Sequence, residues 1–230
     1  MRAPAAVFLL ALGMAAPAAA QRPARPQPRP APRRALPPLP PEPAISFRPF
    51  VMGAEDAFAA TDTFKAVFGR SYAPFFGGGL QVAFHGKYYL EVAASRFRQN
   101  GQRAFLYNGQ TFSLGIPLTA TITPLEITGG YRFRPRRMPR LRPYVGAGLT
   151  SYQYEESSAF SEPGDTLSTR QAGLVAVGGL EFRVHRYVGI SADVEGARVP
   201  GIFGQGGISK DAGESNLGGV SARFRLIIGR

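Results

Sequence analysis

The chain has 230 residues, 44% hydrophobic and 11% aromatic, with 27 Lys and Arg against 15 Asp and Glu and no cysteine. The missing cysteine excludes disulfides, thiol chemistry, cysteine-based metal sites and a lipid-anchored cysteine. The formal charge of +12 does not single out nucleic acid as a partner, because the cations are spread along the chain and the aromatic residues form no stacking platform in a basic groove.

Arg2, the apolar run Ala5 to Ala15 and the small residues Ala18, Ala19 and Ala20 read as a secretory signal peptide over residues 1–20, cleaved before Gln21. The run is shorter than the roughly 20 apolar residues a spanning helix needs, and no later stretch supplies one. An exported chain of this kind that enters a membrane must do so as a closed barrel, because hydrocarbon leaves backbone groups no other partners. Residues 21–44 are rich in Pro and Arg, which predicts a disordered, extended periplasmic linker. Its Arg22, Arg25, Arg29, Arg33 and Arg34 are candidates for contact with anionic surfaces, whether lipid head groups, peptidoglycan or other anionic envelope polymers.

From Ile45 the composition changes, and residues 45–230 divide into eight candidate strands. The first is Ser46 to Phe58. A short helix over Phe64 to Phe68, capped by Thr61 or Asp62, precedes the second strand, Phe75 to Phe84. His85-Gly86 separates it from the third, Lys87 to Arg98. A polar stretch, Gln99 to Ile116, reads as a loop before the fourth strand, Pro117 to Arg134. After the turn Pro135 to Arg140 come Leu141 to Glu155, Arg170 to Val184, Tyr187 to Arg198 and Asn216 to Ile228.

The clearest segment is Gln171 to Arg198. Around His185-Arg186 it alternates with a period of two, which in extended chain sorts side chains onto opposite faces. Leu174, Ala176, Leu180, Phe182, Val184, Val188, Ile190, Ala192 and Val194 share one face. Gly173, Gly179, Glu181, Arg183, Gly189, Ser191, Asp193 and Glu195 share the other. An apolar face opposed by a charged one fits a transmembrane barrel with a polar lumen, and it argues against a soluble lipid-binding barrel, which needs the reverse. Connections after the second, fourth and sixth strands are short and the others long, as in outer-membrane barrels. Aromatic residues gather near the short turns (Phe84, Tyr88, Tyr89, Tyr131, Phe133, Tyr144, Phe182, Tyr187) and near the long loops (Phe75, Phe76, Phe97, Tyr152, Tyr154), which predicts two interfacial girdles.

The eight-strand layout, the segment Arg142-Pro-Tyr-Val-Gly-Ala-Gly-Leu149 and the ending Gly130-Tyr-Arg-Phe133 resemble the small outer-membrane β-barrel domain family of the OmpA, OmpX and OmpW type. The resemblance covers about Ile45 to Arg230. It departs at the end, where this chain finishes Phe224-Arg-Leu-Ile-Ile-Gly-Arg230 and the family commonly finishes on an aromatic residue. It implies an outer-membrane protein with both termini periplasmic, serving a structural, adhesion or envelope-integrity role through its long loops, or alternatively a narrow porin or OmpW-like channel for small solutes.

Alternation places Glu91, Glu126, Arg132, Glu181, Arg183, Asp193, Glu195, Arg223 and Arg225 in the lumen, where charges of both signs are expected to pair. Small residues on the same face, among them Gly77, Gly79, Gly130, Gly146, Gly148, Gly219 and Ser221, are expected to make room for the arginines. Acyl transfer of the serine- or histidine-based kind that some eight-strand outer-membrane enzymes resemble needs a nucleophile beside a base at the outer rim. Here the histidines, His85 and His185, fall in short turns, so no enzymatic activity is expected. No cofactor or metal is expected either: the acidic residues Glu155, Glu156, Glu162 and Asp165 are irregularly spaced, and Gly204 to Lys210 lacks the order of a phosphate loop. Outer-membrane lipids are the expected surroundings of a monomer.

Overall fold

The structure is a computed structural model and describes residues 43–107, 110–158, 167–203 and 207–229. The period-two segments become the strands β1 (Ile45–Phe58), β2 (Tyr72–Phe84), β3 (Tyr88–Tyr107), β4 (Gln110–Arg132), β5 (Leu141–Ser158), β6 (Leu167–His185), β7 (Val188–Arg198) and β8 (Gly219–Ile228). Each pairs antiparallel with its neighbours in sequence, and β1 pairs with β8, closing an eight-stranded barrel with no free edge. Residues 1–42, including the signal-peptide and linker readings and the arginines Arg22 to Arg34, lie outside the described residues.

The outer wall is apolar. Leu80, Leu125, Leu149, Leu174, Leu180, Ile190, Val194, Val220 and Phe224 point outward and are all more than a third exposed, while Glu126, Glu181, Arg183, Asp193, Glu195, Arg223 and Arg225 on the same strands are buried inside. A sheet that exposes its apolar face and buries its charges has its polarity inverted relative to a water-soluble protein. That inversion is what a hydrocarbon surround selects.

The turns show how the sequence sets the short side. His85 and Gly86 both take positive φ, 48° and 58°, the primed geometry of a tight turn between twisted strands, closed by Lys87 N donating to Phe84 O at 3.0 Å, in a connection of three residues, His85 to Lys87. Residues 133–140 form two consecutive tight turns, with Met138 N donating to Pro135 O at 3.2 Å and Leu141 N to Met138 O at 3.0 Å.

The opposite end departs from the sequence reading in two ways. Gln99 to Ile116, expected to be a loop, continues β3 and β4: Gln99 pairs with Ala120, Gln102 with Pro117 and Phe105 with Phe112. With 20 and 23 residues against 11 and 10 for β7 and β8, these two strands form a hairpin that outreaches the rest of the barrel. Cross-strand backbone pairing supplies the hydrogen bonds there, so polar side chains do not break the ladder. The helix α1 (Thr61–Phe68) forms as expected and ends on Gly69 at φ 75°, whose N–H bonds Lys65 O. Neither Thr61 nor Asp62 caps it. Thr61 Oγ1 donates back to Phe58 O at 3.2 Å. The carboxylate of Glu214, in the β7–β8 connection, instead accepts the backbone N–H groups of Asp62 and Thr63 at 2.9 and 2.8 Å.

Candidate functional site

Inside the barrel the alternation brings one charged or polar side chain after another into a single column. At the short-turn end Glu181 (β6) is the hub. Arg48 (β1) donates to its Oε1, Arg132 (β4) donates to Oε2 at 2.9 Å, and Arg183 lies 3.8 Å away. Arg48 also donates to Gln81 Oε1, and Gln81 donates to Glu91 Oε2 at 2.8 Å. Glu91 accepts Arg225 Nη1 at 2.8 and 2.9 Å. Arg225 Nε lies 2.9 Å from Asp193 Oδ2, and its other terminal nitrogen donates to the Tyr144 hydroxyl, which itself donates to Asp193 at 2.7 Å. Arg223 closes the column, with Nε on Asp193 Oδ1 at 2.6 Å and Nη1 on Glu126 at 3.2 Å and on Glu195.

Every strand contributes to this chain of contacts, so it works as a tie across the whole barrel. Desolvated charges are tolerable only when paired and hydrogen-bonded, and the column is built on that condition. The structure places Glu91, Glu126, Arg132, Glu181, Arg183, Asp193, Glu195, Arg223 and Arg225 inside, each less than a tenth exposed. Sequence reasoning missed Arg48, Gln81 and Tyr144. Arg48 alternates with Ser46, Phe50 and Met52, which was the available signal, but Pro49 beside it made β1 look irregular.

The glycines open space for rings rather than for the arginines alone. A Cβ on Gly79 would meet Phe50 Cζ at 2.7 Å, and one on Gly130 would meet Tyr89 Cε1 at 2.6 Å. The rings then serve the cations: the Arg225 guanidinium lies 5.3 Å from the Phe50 centroid and 5.2 Å from that of Tyr144.

Beyond Glu126 and Glu195 the interior turns apolar. Phe58, Phe75, Phe97, Ile122, Tyr152, Val199 and Leu217 form one buried cluster, into which α1 inserts Phe64. Phe64 stacks on Phe58 with centroids 3.9 Å apart, and Phe75 stacks on Phe97 at 5.3 Å. This overturns half of the expected aromatic girdles. Near the short turns Phe84, Tyr88, Phe133, Phe182 and Tyr187 do face outward, but Tyr89 and Tyr144 are lumenal. Near the long loops Phe76 faces outward, whereas Phe75, Phe97, Tyr152 and Tyr154 are buried inside. Their parity matches the lumenal charges, and the barrel mouth uses them as a stopper.

The remaining candidates scatter. His85 is exposed in the β2–β3 turn and His185 is exposed at the end of β6, where it pairs with Val188, and among the described residues no three His, Cys, Asp or Glu side chains converge as metal ligands do. Glu155 and Glu156 lie on β5, where they accept from Gln153 at 2.7 Å and Tyr154 at 3.1 Å. Glu162, Asp165 and Gly204 to Gly206 are outside the described residues, and Gly207–Asp211 is a one-turn helix, α2.

No family model matches the sequence, and no curated protein matches it. Among solved structures the chain is similar to the N-terminal β-barrel domain of Pseudomonas aeruginosa OprF, at 15% identity and TM-score 0.45, over 80% of this chain and 97% of that one. It is similar to Ail, the attachment invasion locus protein of Yersinia pestis, at 16% identity and TM-score 0.46, over 80% and 97%. Neisserial surface protein A gives 12% identity and TM-score 0.47, over 81% and 96%. By its own register and inverted polarity, the chain is an eight-stranded β-barrel of the outer-membrane type, with a lumen filled by charge pairs and closed by aromatic side chains.

Proposed function

We propose that the protein is a non-enzymatic outer-membrane barrel that conducts no solute and acts through its outer surface, as an adhesion, scaffold or envelope-integrity element. The observation that carries this reading is the double closure of the lumen: a continuous charge column tied to all eight strands, and above it the apolar stopper around Phe64. An ion path would need a water file between these layers, and the column leaves its charges bonded to one another instead. Both described chain ends lie beside the short turns: His85 N donates to Ala44 O, and Gly229 N to Tyr187 O. This side is the periplasmic one in our reading, so the β3–β4 hairpin projects outward from the cell. That hairpin carries an exposed stacked pair, Phe105 and Phe112, with centroids 5.3 Å apart, a surface suited to contact with another macromolecule.

The test is single-channel recording in a planar bilayer on protein shown to be inserted, with Arg223→Ala measured beside it. Silence of the unmodified protein is expected. Steady conductance that changes with Arg223→Ala would replace this reading with that of a narrow channel for small solutes.

A further inference from the structure

The short-turn rim carries charge of one sign. Lys87, Arg134, Arg136, Arg137, Arg140 and Arg186 occupy the turns β2–β3, β4–β5 and β6–β7, and no Asp or Glu lies in those turns. Lys87, Arg136, Arg137 and Arg186 are exposed. Two of the other cations brace the rim: Arg134 Nε donates to Gly86 O at 3.3 Å, and Arg140 donates to Val184 O at 3.0 Å. The turn β4–β5 is thereby fastened to both of its neighbours, and its arginines are held on a fixed frame.

Immediately next to this rim sits the outward aromatic group. Tyr88 packs against Tyr131 at 5.3 Å, and Tyr131 against Phe133 at 5.0 Å. The Arg186 guanidinium lies 4.8 Å from the centroid of Tyr187. Aromatic side chains of this kind mark the boundary between hydrocarbon and head groups. The cations therefore stand at the depth of lipid phosphates.

We propose that this rim is a binding surface for anionic phospholipid head groups in the leaflet on the short-turn side. The proposal rests on the membrane reading above. Charge complementarity selects an anionic partner, since among the described residues the three turns offer cationic donors and no Asp or Glu to repel it or to favour a cation. The closeness of the cations to the girdle selects a lipid over a polymer: turns this short keep Arg136, Arg137 and Arg186 near the head-group layer, while a polymer strand would need a surface standing clear of it. Arginine suits the task because its planar fork bonds two phosphate oxygens at once.

The test uses the full chain in phosphatidylcholine vesicles, with spin-labelled phosphatidylglycerol or phosphatidylcholine as probe and the motionally restricted fraction as readout. A preference for phosphatidylglycerol of at least about threefold is expected, falling at high salt. Lys87→Gln with Arg136→Gln, Arg137→Gln and Arg186→Gln should bring the ratio near one. Arg136→Lys with Arg137→Lys and Arg186→Lys should retain the preference, because charge is kept. Changing Arg22, Arg25, Arg29, Arg33 and Arg34 to Gln should also retain it. The proposal is overturned if the neutralised rim keeps its preference, if the tail variant alone abolishes it, or if salt leaves it unchanged. It is equally overturned if the rim charges govern pelleting with isolated peptidoglycan while lipid preference is absent. Failure to insert even into plain phosphatidylcholine vesicles is a separate result, and it would overturn the membrane reading itself.

Discussion

Arg48 on β1 reaches across the lumen and donates to Glu181 on β6, a pair 133 residues apart in sequence. Neither strand is the other's neighbour in the barrel. The contact therefore checks that closure has occurred in the right order, because Glu181 meets Arg48 and Arg132 together only when every intervening strand is in register.

Removing that hub should be costly. Glu181→Ala leaves the guanidinium groups of Arg48 and Arg132 facing each other in a site where each is 1% exposed. Breaking a buried pair from one side typically costs about 3–5 kcal/mol, and urea unfolding of vesicle-inserted protein should show a loss of that size. Adding Arg48→Met to Glu181→Ala should recover part of it by removing one of the like charges. Equal stability of the two variants would show that Glu181 does not tie the column together.

On the outer wall the sign of the argument reverses. Leu180 is half exposed and pairs across the wall with Ala192 and Pro143. Leu180→Arg should weaken folding into vesicles by about 2–4 kcal/mol if it lies near the bilayer midplane, while Leu180→Met should leave it unchanged. Insertion unaffected by the arginine would mean that the apolar wall does not face lipid.

The contrast between Leu180 and Glu181 shows what was legible in the sequence. Period-two sorting depends only on the backbone pleat, so charged residues could be assigned to the lumen before the fold was known. Aromatic residues carry no such mark. Phe75 and Phe76 are adjacent and chemically alike, yet one is 1% exposed in the stopper and the other 70% exposed on the wall. Only the phase of the alternation separates them, Phe75 with the buried Gln81 and Phe76 with the exposed Leu80, and neither ring by itself marks which phase faces the lumen. The extension of β3 and β4 was hidden for a related reason: residues such as Gln99, Asn100 and Gln102 have loop-like composition, and their ladder is made by backbone groups. The partnership of Glu214 with α1 spans about 150 residues, with no local pattern to announce it.

That partnership supports a third prediction. Glu214 accepts the N–H groups of Asp62 and Thr63, the donors that an N-cap side chain would otherwise satisfy. Glu214→Ala should cost about 1 kcal/mol, confined to α1, and hydrogen exchange should quicken at residues 62–65 without a shift in barrel melting. The variant should stay electrically silent, because the charge column below the stopper is untouched. Conductance in Glu214→Ala alone would make the stopper the sole barrier.

Two glycines provide a matched pair for testing how tightly the interior is packed. A Cβ on Gly130 would press on the Tyr89 ring and on the backbone oxygen of Val145, whereas one on Gly196 has nothing within 4 Å and points outward. Neither glycine is recorded with positive φ, so space, not backbone strain, decides the outcome. Gly130→Ala should destabilise the barrel by about 1–3 kcal/mol through overpacking. Gly196→Ala should be neutral or stabilise by about 0.4–1 kcal/mol, because the unfolded chain loses freedom. Adding Tyr89→Ala to Gly130→Ala should relieve only the ring contact, leaving the clash with the strand β5 backbone in place. Equal tolerance of the two single substitutions in a denaturant titration would mean that Tyr89 is not wedged against β4 and β5, and that the lumen beside Tyr144 holds more space than its contacts indicate.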